Sequence, residues 1–170
     1  IIVAMWQFQR WPYFFKSGGK GTGTHVTMDG GGSWKPRVTA NGLPKGEWGR
    51  IGLAISASSP NVVYALVESE KTALYRSDNG GISFRMTSDK VGDRPFYYSE
   101  IYVDPQNENR VYSLATATTV SEDGGKNFRP LMGMFSVHSD HHAFWIDPDN
   151  PKNILNGNDG GMYSSTDGGT

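Results

Sequence analysis

Residues typical of β-strands occur along the chain in short runs of five or six positions, and no stretch repeats apolar residues every three or four positions as a helix would. The clearest runs cover residues 50–55, 62–67, 72–76 and 83–87. Gly, Asp, Asn or Pro, which favour turns, interrupt the chain between these runs. The pattern predicts an all-β chain built from short strands.

One turn sequence recurs four times, with a hydroxyl residue, Asp or Asn two positions later and Gly four positions later. An aromatic residue closes the first three copies. The positions are Thr27, Asp29, Gly31 and Trp34; Ser77, Asn79, Gly81 and Phe84; Ser121, Asp123, Gly125 and Phe128; and Ser165, Asp167 and Gly169. The Asp/Asn positions lie 50, 44 and 44 residues apart. Four short strands in about 44 residues match one blade of a β-propeller.

A second pattern keeps this period, because Ser56, Asp104 and Asp147 each follow an apolar run at spacings of 48 and 43 residues. In the repeated turns, the hydroxyl, Asp and Asn side chains can bond nearby amides, while Gly supplies a positive φ. The closing aromatic is expected to pack on the apolar side of the blade. We interpret the turns as structural fasteners rather than as calcium ligands or catalytic groups.

The repeated turn resembles the Asp-box, or BNR repeat, of sialidases, xyloglucanase-type hydrolases and sortilin-type (VPS10) receptors. Segments 41–46, 49–56, 96–99, 141–148 and 157–161 are similar to large bacterial secreted propellers described as sortilin-like or glycosyl-hydrolase-like. The resemblance covers essentially the whole chain and implies an exported, extracellular or periplasmic, location. Asn79 replaces the usual Asp and Asn127 the usual Ser or Thr, which predicts looser turns at these two copies.

Counting strands against the repeat predicts an internal fragment of a larger propeller, just under four four-stranded blades long. The fragment begins at the second strand of one blade, and blade boundaries fall near residues 50, 98 and 141. Residues 1–170 are therefore expected to form part of a single propeller domain, with its remaining blades as partners.

The resemblance places the repeated turns on one face, so that the opposite face, around the channel mouth, is where a site is expected. Arg50, Tyr98 and His141 occupy equivalent positions there. The predicted ligand-binding residues on this face are Arg50, Tyr98, Glu100, His141, His142 and Asp159. The alternative is that they are ordinary solvated residues at loop ends.

Three of the four histidines gather with an Asp at His138, Asp140, His141 and His142. Such a group could ligate zinc, but its spacing is not one of a known closed site, and neighbouring residues on a strand point to opposite faces. A channel-facing ligand role and a structural role both remain open. We expect no metal site and no cofactor.

Residues 6–23 form a loop ten to fifteen residues longer than its counterparts, and it carries six aromatic residues. Because sugar rings stack on exposed aromatics, Trp11 and Tyr13 are predicted to bind a glycan or peptide. The alternative is a lid packed against a neighbouring blade.

Composition narrows the function. The 16 basic and 17 acidic residues give a net charge of −1, which disfavours nucleic-acid binding. No apolar run approaches the ~18 residues of a membrane span. Cysteine is absent, which excludes disulfides and thiol catalysis.

Two functions follow from the resemblance. The favoured one is a non-catalytic propeller that binds a protein, peptide or glycan. The alternative is part of a xyloglucanase-type glycoside hydrolase, for which Glu100, Asp140 and Asp159 are the candidate carboxylates. A purely structural module in a surface assembly is a third possibility. A sialidase is disfavoured, because 128–130 matches its Arg-Ile-Pro element only superficially.

Overall fold

The computed structural model describes residues 1–131 and 136–169, which contain antiparallel strands and one short 3₁₀ helix. The elements are β1 (Ile2–Met5), β2 (Phe8–Trp11), β3 (Phe14–Ser17), β4 (Gly23–Val26), β5 (Lys35–Arg37), the 3₁₀ helix (Thr39–Asn41), β6 (Ile51–Ile55), β7 (Val63–Val67), β8 (Ala73–Ser77), β9 (Arg85–Ser88), β10 (Ile101–Asp104), β11 (Asn107–Ser113), β12 (Thr119–Ser121), β13 (Arg129–Pro130), β14 (His141–Ile146), β15 (Ile154–Asn158) and β16 (Gly161–Ser165). Within these residues, no helix has the length and apolar character needed to cross a membrane.

Four sheets follow one another along the chain, and in each of them neighbouring strands are antiparallel. Their strand orders are β1-β4-β5, β6-β7-β8-β9, β10-β11-β12-β13 and β14-β15-β16, while β2 and β3 form a separate hairpin. Apart from this hairpin between β1 and β4, each strand lies beside the next one in the chain, as in the blades of a propeller. The predicted all-β, blade-like organisation is confirmed.

The core lies between successive sheets, because alternate side chains of one strand serve two different interfaces. In β7, Val63, Ala65 and Val67 pack with β1 of the first sheet, whereas Tyr64 and Leu66 pack with the third sheet. All five residues of this strand are buried. The continuous apolar run at 62–67 thus reflects a strand covered on both faces.

The repeated turns keep one hydrogen-bond pattern. Asp29 accepts the Ser33 amide at 2.9 Å and the Ser33 hydroxyl at 2.6 Å. Asn79 accepts the Ser83 amide at 2.9 Å as well, but its Nδ2 donates to the Ser83 hydroxyl at 2.8 Å. The expected loosening at this copy is wrong, because an amide can donate to the same hydroxyl that a carboxylate accepts from.

The third copy keeps the same hydrogen bonds, but there an Asn replaces the hydroxyl residue instead of the Asp. Asp123 accepts the Asn127 amide at 2.9 Å, and Asn127 Nδ2 donates to Asp123 Oδ2 at 2.7 Å. Asn127 therefore replaces a hydroxyl donor with an amide donor, and the loosening expected there is also wrong.

The aromatic residues that close the second and third turns pack against the preceding sheet. Phe84 is 7% exposed and belongs to the cluster against which Ile2 and Ala4 of β1 pack. Phe128 packs into the cluster that contains Tyr64 of the second sheet. Trp34 is instead 42% exposed, contrary to expectation, because its sheet has no preceding sheet among the described residues.

Candidate functional site

The two ends of each sheet carry different residues. In the second sheet, Val63 pairs with Ile55 and Ser77 at one end, whereas Val67 pairs with Ile51 at the other. The repeated turn follows Ser77 at the first end, and β6, β10 and β14 begin at the second. We call the second end the rim, and the β2–β3 hairpin is inserted there, between β1 and β4.

Arg50, immediately before β6, joins three segments of the rim. Its guanidinium donates to the carbonyls of Tyr97 at 2.8 Å and Phe96 at 3.4 Å, and its Nη2 lies 2.8 Å from Oε1 of Glu100. The guanidinium also lies 5.4 Å from the Trp6 ring, within cation–π range. These contacts bring two predicted binding residues, Arg50 and Glu100, together and hold the loop before β10 near the hairpin.

A second, partly buried contact fixes the base of the hairpin. Oε2 of Glu68 accepts hydrogen bonds from the Ser17 hydroxyl at 2.5 Å and from the Arg50 amide at 2.6 Å. The Ser17 hydroxyl in turn accepts the Trp6 indole N–H at 3.1 Å. A side chain at Gly49 would overlap the Glu68 carboxylate, so this close approach requires glycine. The hairpin is therefore attached to the second sheet.

The long aromatic loop forms the β2–β3 hairpin, whose two faces differ. Arg10 pairs with Phe15, and Trp11 pairs with Phe14. Because cross-strand partners share a face, the first pair lies on one face and the second pair on the other. Trp11 is 53% exposed, Phe14 44%, and Tyr13 at the tip 85%. This geometry favours an exposed platform over a packed lid.

The face of the hairpin that carries Arg10 borders a cleft of 470 Å³. The lining residues are Trp6, Phe8, Arg10, Phe15, Arg50, Phe96 and Tyr97. The rings of Phe15 and Phe96 lie 5.2 Å apart, and Nη2 of Arg10 lies 3.3 Å from the Tyr97 hydroxyl. We call this space the hairpin cleft. Its rings and guanidinium groups suit a ligand with apolar surface and hydrogen-bond acceptors.

A second cleft, of 480 Å³, lies along β4 and β5 of the first sheet. Glycine and threonine dominate its strand-side lining, with His25, Arg37 and Trp48 among the larger side chains. Arg37 and Trp48 are themselves buried, and Arg37 already donates to the Gly81 carbonyl in the turn of the second sheet. Although it is as large as the hairpin cleft, we give it less weight as a ligand site.

Tyr98 and Asp140 form the other polar centre of the rim. The Tyr98 hydroxyl donates to Oδ1 of Asp140, and the Arg94 guanidinium lies 3.8 Å from the same oxygen. The Tyr98 hydrogen bond, together with the Arg94 charge, holds the pKa of Asp140 below its usual range. Burial and the hydrogen bond to Asp140 raise the pKa of Tyr98. The pair is thus a charged acceptor bound by a neutral donor.

His142 and Asp159 extend this second centre. Nε2 of His142 lies 3.4 Å from Oδ1 of Asp159, and the His142 ring lies 5.4 Å from that of Tyr98. The adjacent rings of Tyr97 and Tyr98, 6.1 Å apart, connect this centre to the Arg50 contacts. The predicted rim residues therefore form two neighbouring groups, one around Arg50 and one around Tyr98.

His141 lies apart from both groups. It is 2% exposed, and its Nδ1 lies 2.7 Å from Oδ1 of Asn156 on the neighbouring strand. His138 approaches the Ser139 carbonyl instead. In residues 1–131 and 136–169, no three metal-ligating side chains converge on a possible ion. The geometry of His141 is that of a structural histidine, and the cluster does not share a common centre.

The three candidate catalytic carboxylates are each held by a different donor. Glu100 pairs with Arg50, Asp159 with His142, and Asp140 with Tyr98. A glycosidase needs one carboxyl group with a raised pKa to protonate the leaving group. The lowered pKa of Asp140 is a shift in the opposite direction.

Sequence reasoning gave no role to Arg10, Arg94, Phe96 or Tyr97, although all four contribute to the two groups or the cleft. The sequence offered one local indication, because Arg10 and Arg94 each lie within three residues of an aromatic residue at the rim. That signal did not reveal which residues meet, because the partners of Arg10 and Arg94 are far away in sequence.

No protein-family model and no curated protein matches the chain. Among solved structures, a GH74 enzyme from Niastella koreensis is similar, with 22% identity over 69% of this chain and 21% of its own, at a TM-score of 0.54. YCF48 bound to the D1 peptide has 16% identity over 81% and 42%, at 0.55. The GH74 xyloglucanase from Xanthomonas campestris has 16% identity over 69% and 22%, at 0.51.

These similarities concern the fold. The chain is a segment of a β-propeller, and it spans between 21% and 42% of the length of these three solved proteins. Its four consecutive sheets, two with four strands and two with three, agree with that conclusion within the described residues.

Proposed function

We propose that this chain is the ligand-binding arc of a non-catalytic β-propeller, which holds a peptide or a glycan at the rim. The observation that carries the proposal is the aromatic hairpin. It places Trp11, Tyr13 and Phe14 in solvent, with 44–85% of each exposed, while the opposite face of the hairpin borders a cleft that contains two arginines. Proteins seldom keep a contiguous apolar surface exposed unless it binds something. Aromatic and arginine side chains are the residues that most often dominate binding.

Two of the similar structures are consistent with the binding of a peptide or a glycan, although the second of them is an enzyme. One propeller is bound to a peptide, and another is a xyloglucanase. We further propose that the protein is an exported Asp-box propeller of the sortilin-like (VPS10) kind, with other blades completing its ring. The location and the family rest on the resemblance of the repeated turns and the connecting segments.

The decisive experiment removes the platform. In the intact protein, a Trp11→Ala/Tyr13→Ala double variant should bind its best ligand at least about tenfold more weakly, because two aromatic anchors are lost. Titration calorimetry with xyloglucan oligosaccharides, and binding to an immobilised peptide library, measure the change in affinity. Met28→Ala is the matched control, since Met28 is 70% exposed but lies in a repeated turn. Undiminished binding by the double variant would refute the proposal.

Turnover separates this function from the glycoside-hydrolase alternative. The intact protein should not hydrolyse a polysaccharide panel, and Glu100→Ala and Asp159→Ala should then leave that result unchanged. Hydrolysis by the parent that either substitution abolishes would favour the enzyme instead. The ion pair of Glu100 with Arg50 and the lowered pKa of Asp140 both support the non-catalytic role.

A further inference from the structure

Among the residues that the structure describes, Arg10 and Arg37 are the two arginines without an Asp or Glu partner, and of these two Arg10 is exposed whereas Arg37 is buried. Among the eight arginines, six form ion pairs with Asp or Glu: Arg50, Arg76, Arg85, Arg94, Arg110 and Arg129. Arg37 donates to the Gly81 carbonyl at 2.7 Å. Within the described residues, Arg10 has the Tyr97 hydroxyl at 3.3 Å and the face of the same ring at 5.9 Å.

The surroundings of Arg10 increase the value of an anionic partner. It shares its face of the hairpin with Phe8 and Phe15, and all three line the hairpin cleft. The other guanidinium of the cleft, that of Arg50, is already paired with Glu100. A carboxylate can accept two parallel hydrogen bonds from a guanidinium, and apolar neighbours strengthen such bonds by limiting water. The cleft is therefore complementary to a ligand carboxylate.

The backbone beside Arg10 indicates what kind of molecule carries this carboxylate. The Gly18 amide donates to the Gln7 carbonyl at 2.9 Å, in register with the Phe8–Ser17 and Arg10–Phe15 pairs. Because bonded and non-bonded pairs alternate in antiparallel strands, the N–H and C=O groups of Phe8 and Arg10 point away from β3. In the described part of the chain, β2 has β3 as its single strand partner.

An open strand edge can add a further strand, and its backbone groups then recognise an extended peptide. One alternate set of that peptide's side chains would lie on the cleft face beside Phe8 and Arg10, and the other set would lie on the opposite face, which carries Trp11. An acidic sugar could supply the carboxylate but not the regular backbone donors and acceptors. The edge and the unpaired cation together favour a peptide.

We infer that the hairpin cleft binds an extended acidic peptide, which pairs with the edge of β2 and places a carboxylate on Arg10. This inference rests on the proposed function and specifies its ligand. Arg10 supplies the charge recognition, the rings of Phe8, Phe15 and Phe96 supply apolar contact, and the β2 edge supplies the backbone bonds.

The test uses two decapeptides, alternating Thr/Glu and alternating Thr/Gln, with the intact protein in low salt. The Glu peptide should bind at least about tenfold more tightly, and raised salt should reduce the difference because Arg10 is exposed. Arg10→Gln should abolish the preference and Arg10→Lys should keep part of it. Arg129→Gln is the charge-matched control, since Arg129 is exposed and follows the third repeated turn. Thermal unfolding verifies that each variant is folded.

Backbone N-methylation of the Glu peptide tests strand addition. Methyl groups on one alternate set of amides should abolish binding, while methyl groups on the other set should be tolerated. Equal sensitivity of both sets, equal affinity for the Gln peptide, or an unchanged preference in Arg10→Gln would each overturn the inference.

Further probes separate this inference from the proposed function. If oligogalacturonate or xyloglucan oligosaccharide binds at the hairpin and neither peptide does, the peptide inference is wrong and the binding function stands. If the intact protein binds none of the peptides and none of the glycans, both proposals fail.

Discussion

The repeated turns and the rim occupy opposite ends of the same sheets, and they treat equivalent positions differently. At the turns, the first hydroxyl accepts the amide of the Gly four residues later in every copy, at 2.8–2.9 Å. At the rim, Arg50 pairs with Glu100, Tyr98 with Asp140, and His141 with Asn156. One geometry built from different sequences marks a structural device, whereas contacts that differ from sheet to sheet leave the loops of the rim free to vary for recognition. Tyr98 and His141 are themselves buried, at 4% and 2% exposed.

The difference has a simple physical basis in the range of the contacts. A turn satisfies its polar groups within about eight residues, so neighbouring blades can vary without disturbing it. The Arg50–Glu100 and Tyr98–Asp140 contacts span 50 and 42 residues and join successive sheets. Substitutions at the turns should therefore reduce the free energy of unfolding, and substitutions at the rim should mainly change binding.

The largest effect is expected from Gly125→Ala. Gly125 has a φ of 83°, and a Cβ there would lie 2.6 Å from Cδ2 of Leu74 in the preceding sheet. Left-handed backbone costs an alanine about 1–2 kcal/mol, and overpacking a core adds about 1–3 kcal/mol. We expect Gly125→Ala to lower the free energy of unfolding by about 2–5 kcal/mol, as measured by urea denaturation.

Gly30→Ala is the matched control, because Gly30 has a φ of 73° but no atom within 4 Å of its added Cβ. It should cost only the backbone strain, about 1–2 kcal/mol. Equal losses in the two variants would show that contact with the preceding sheet contributes nothing to the turn, which contradicts the comparison.

Replacing a carboxylate at the turn end or at the rim end of the sheets should change the free energy of unfolding by less than Gly125→Ala does. Asp123 accepts four hydrogen bonds in its turn, from the Ser121 hydroxyl, the amides of Lys126 and Asn127, and Asn127 Nδ2. Asp123→Ala should lower the free energy of unfolding by about 1–2 kcal/mol, as loss of a helix cap does. Asp159→Ala removes a partly exposed contact with His142 and should cost less than about 0.5 kcal/mol. Urea denaturation of both variants, with ligand binding measured in parallel, checks this. If Asp159→Ala lowered the free energy of unfolding more than Asp123→Ala, the rim rather than the turns would be the structural end of the sheets.

The sheets could be predicted from the sequence, but the contacts at the rim could not. Strand positions followed from the period of the turns and from runs such as 62–67, because each unit repeats the same local chemistry. The repeat shows that Arg50 and Tyr98 are equivalent, yet it does not show that Arg50 touches Glu100, which belongs to the next sheet. Likewise, the length of loop 6–23 was visible, but its pairing was not, since aromatic residues lie on both faces of the hairpin.

The smallest predicted effect is a pH dependence of stability, which follows from the lowered pKa values of the turn carboxylates. Hydrogen bonds from Ser33 and Thr27 hold the pKa of Asp29 well below its usual range. Bonds from the Asn127 amide and side chain, and from Ser121, do the same for Asp123. A lowered folded pKa means that the unfolded chain binds more protons in acid. This stability is therefore present above the unfolded pKa of about 3.9 and is lost as the pH falls through the folded values.

Asn79 does not titrate, so Asn79→Asp should give the second turn the same acid dependence. The new carboxylate would accept the Ser83 hydroxyl, as Asp29 accepts that of Ser33. We expect a change within about 0.5 kcal/mol at pH 7, and a loss relative to the parent between pH 4 and pH 3, measured by urea denaturation at each pH. Adding Ser83→Ala removes one donor and should reduce that acid-dependent loss. If Asn79→Asp instead has the same free energy of unfolding as the parent at every pH, the turn does not favour the charged carboxylate. The hydrogen bonds to that carboxylate then contribute little to the stability of the turn, contrary to the comparison with the rim.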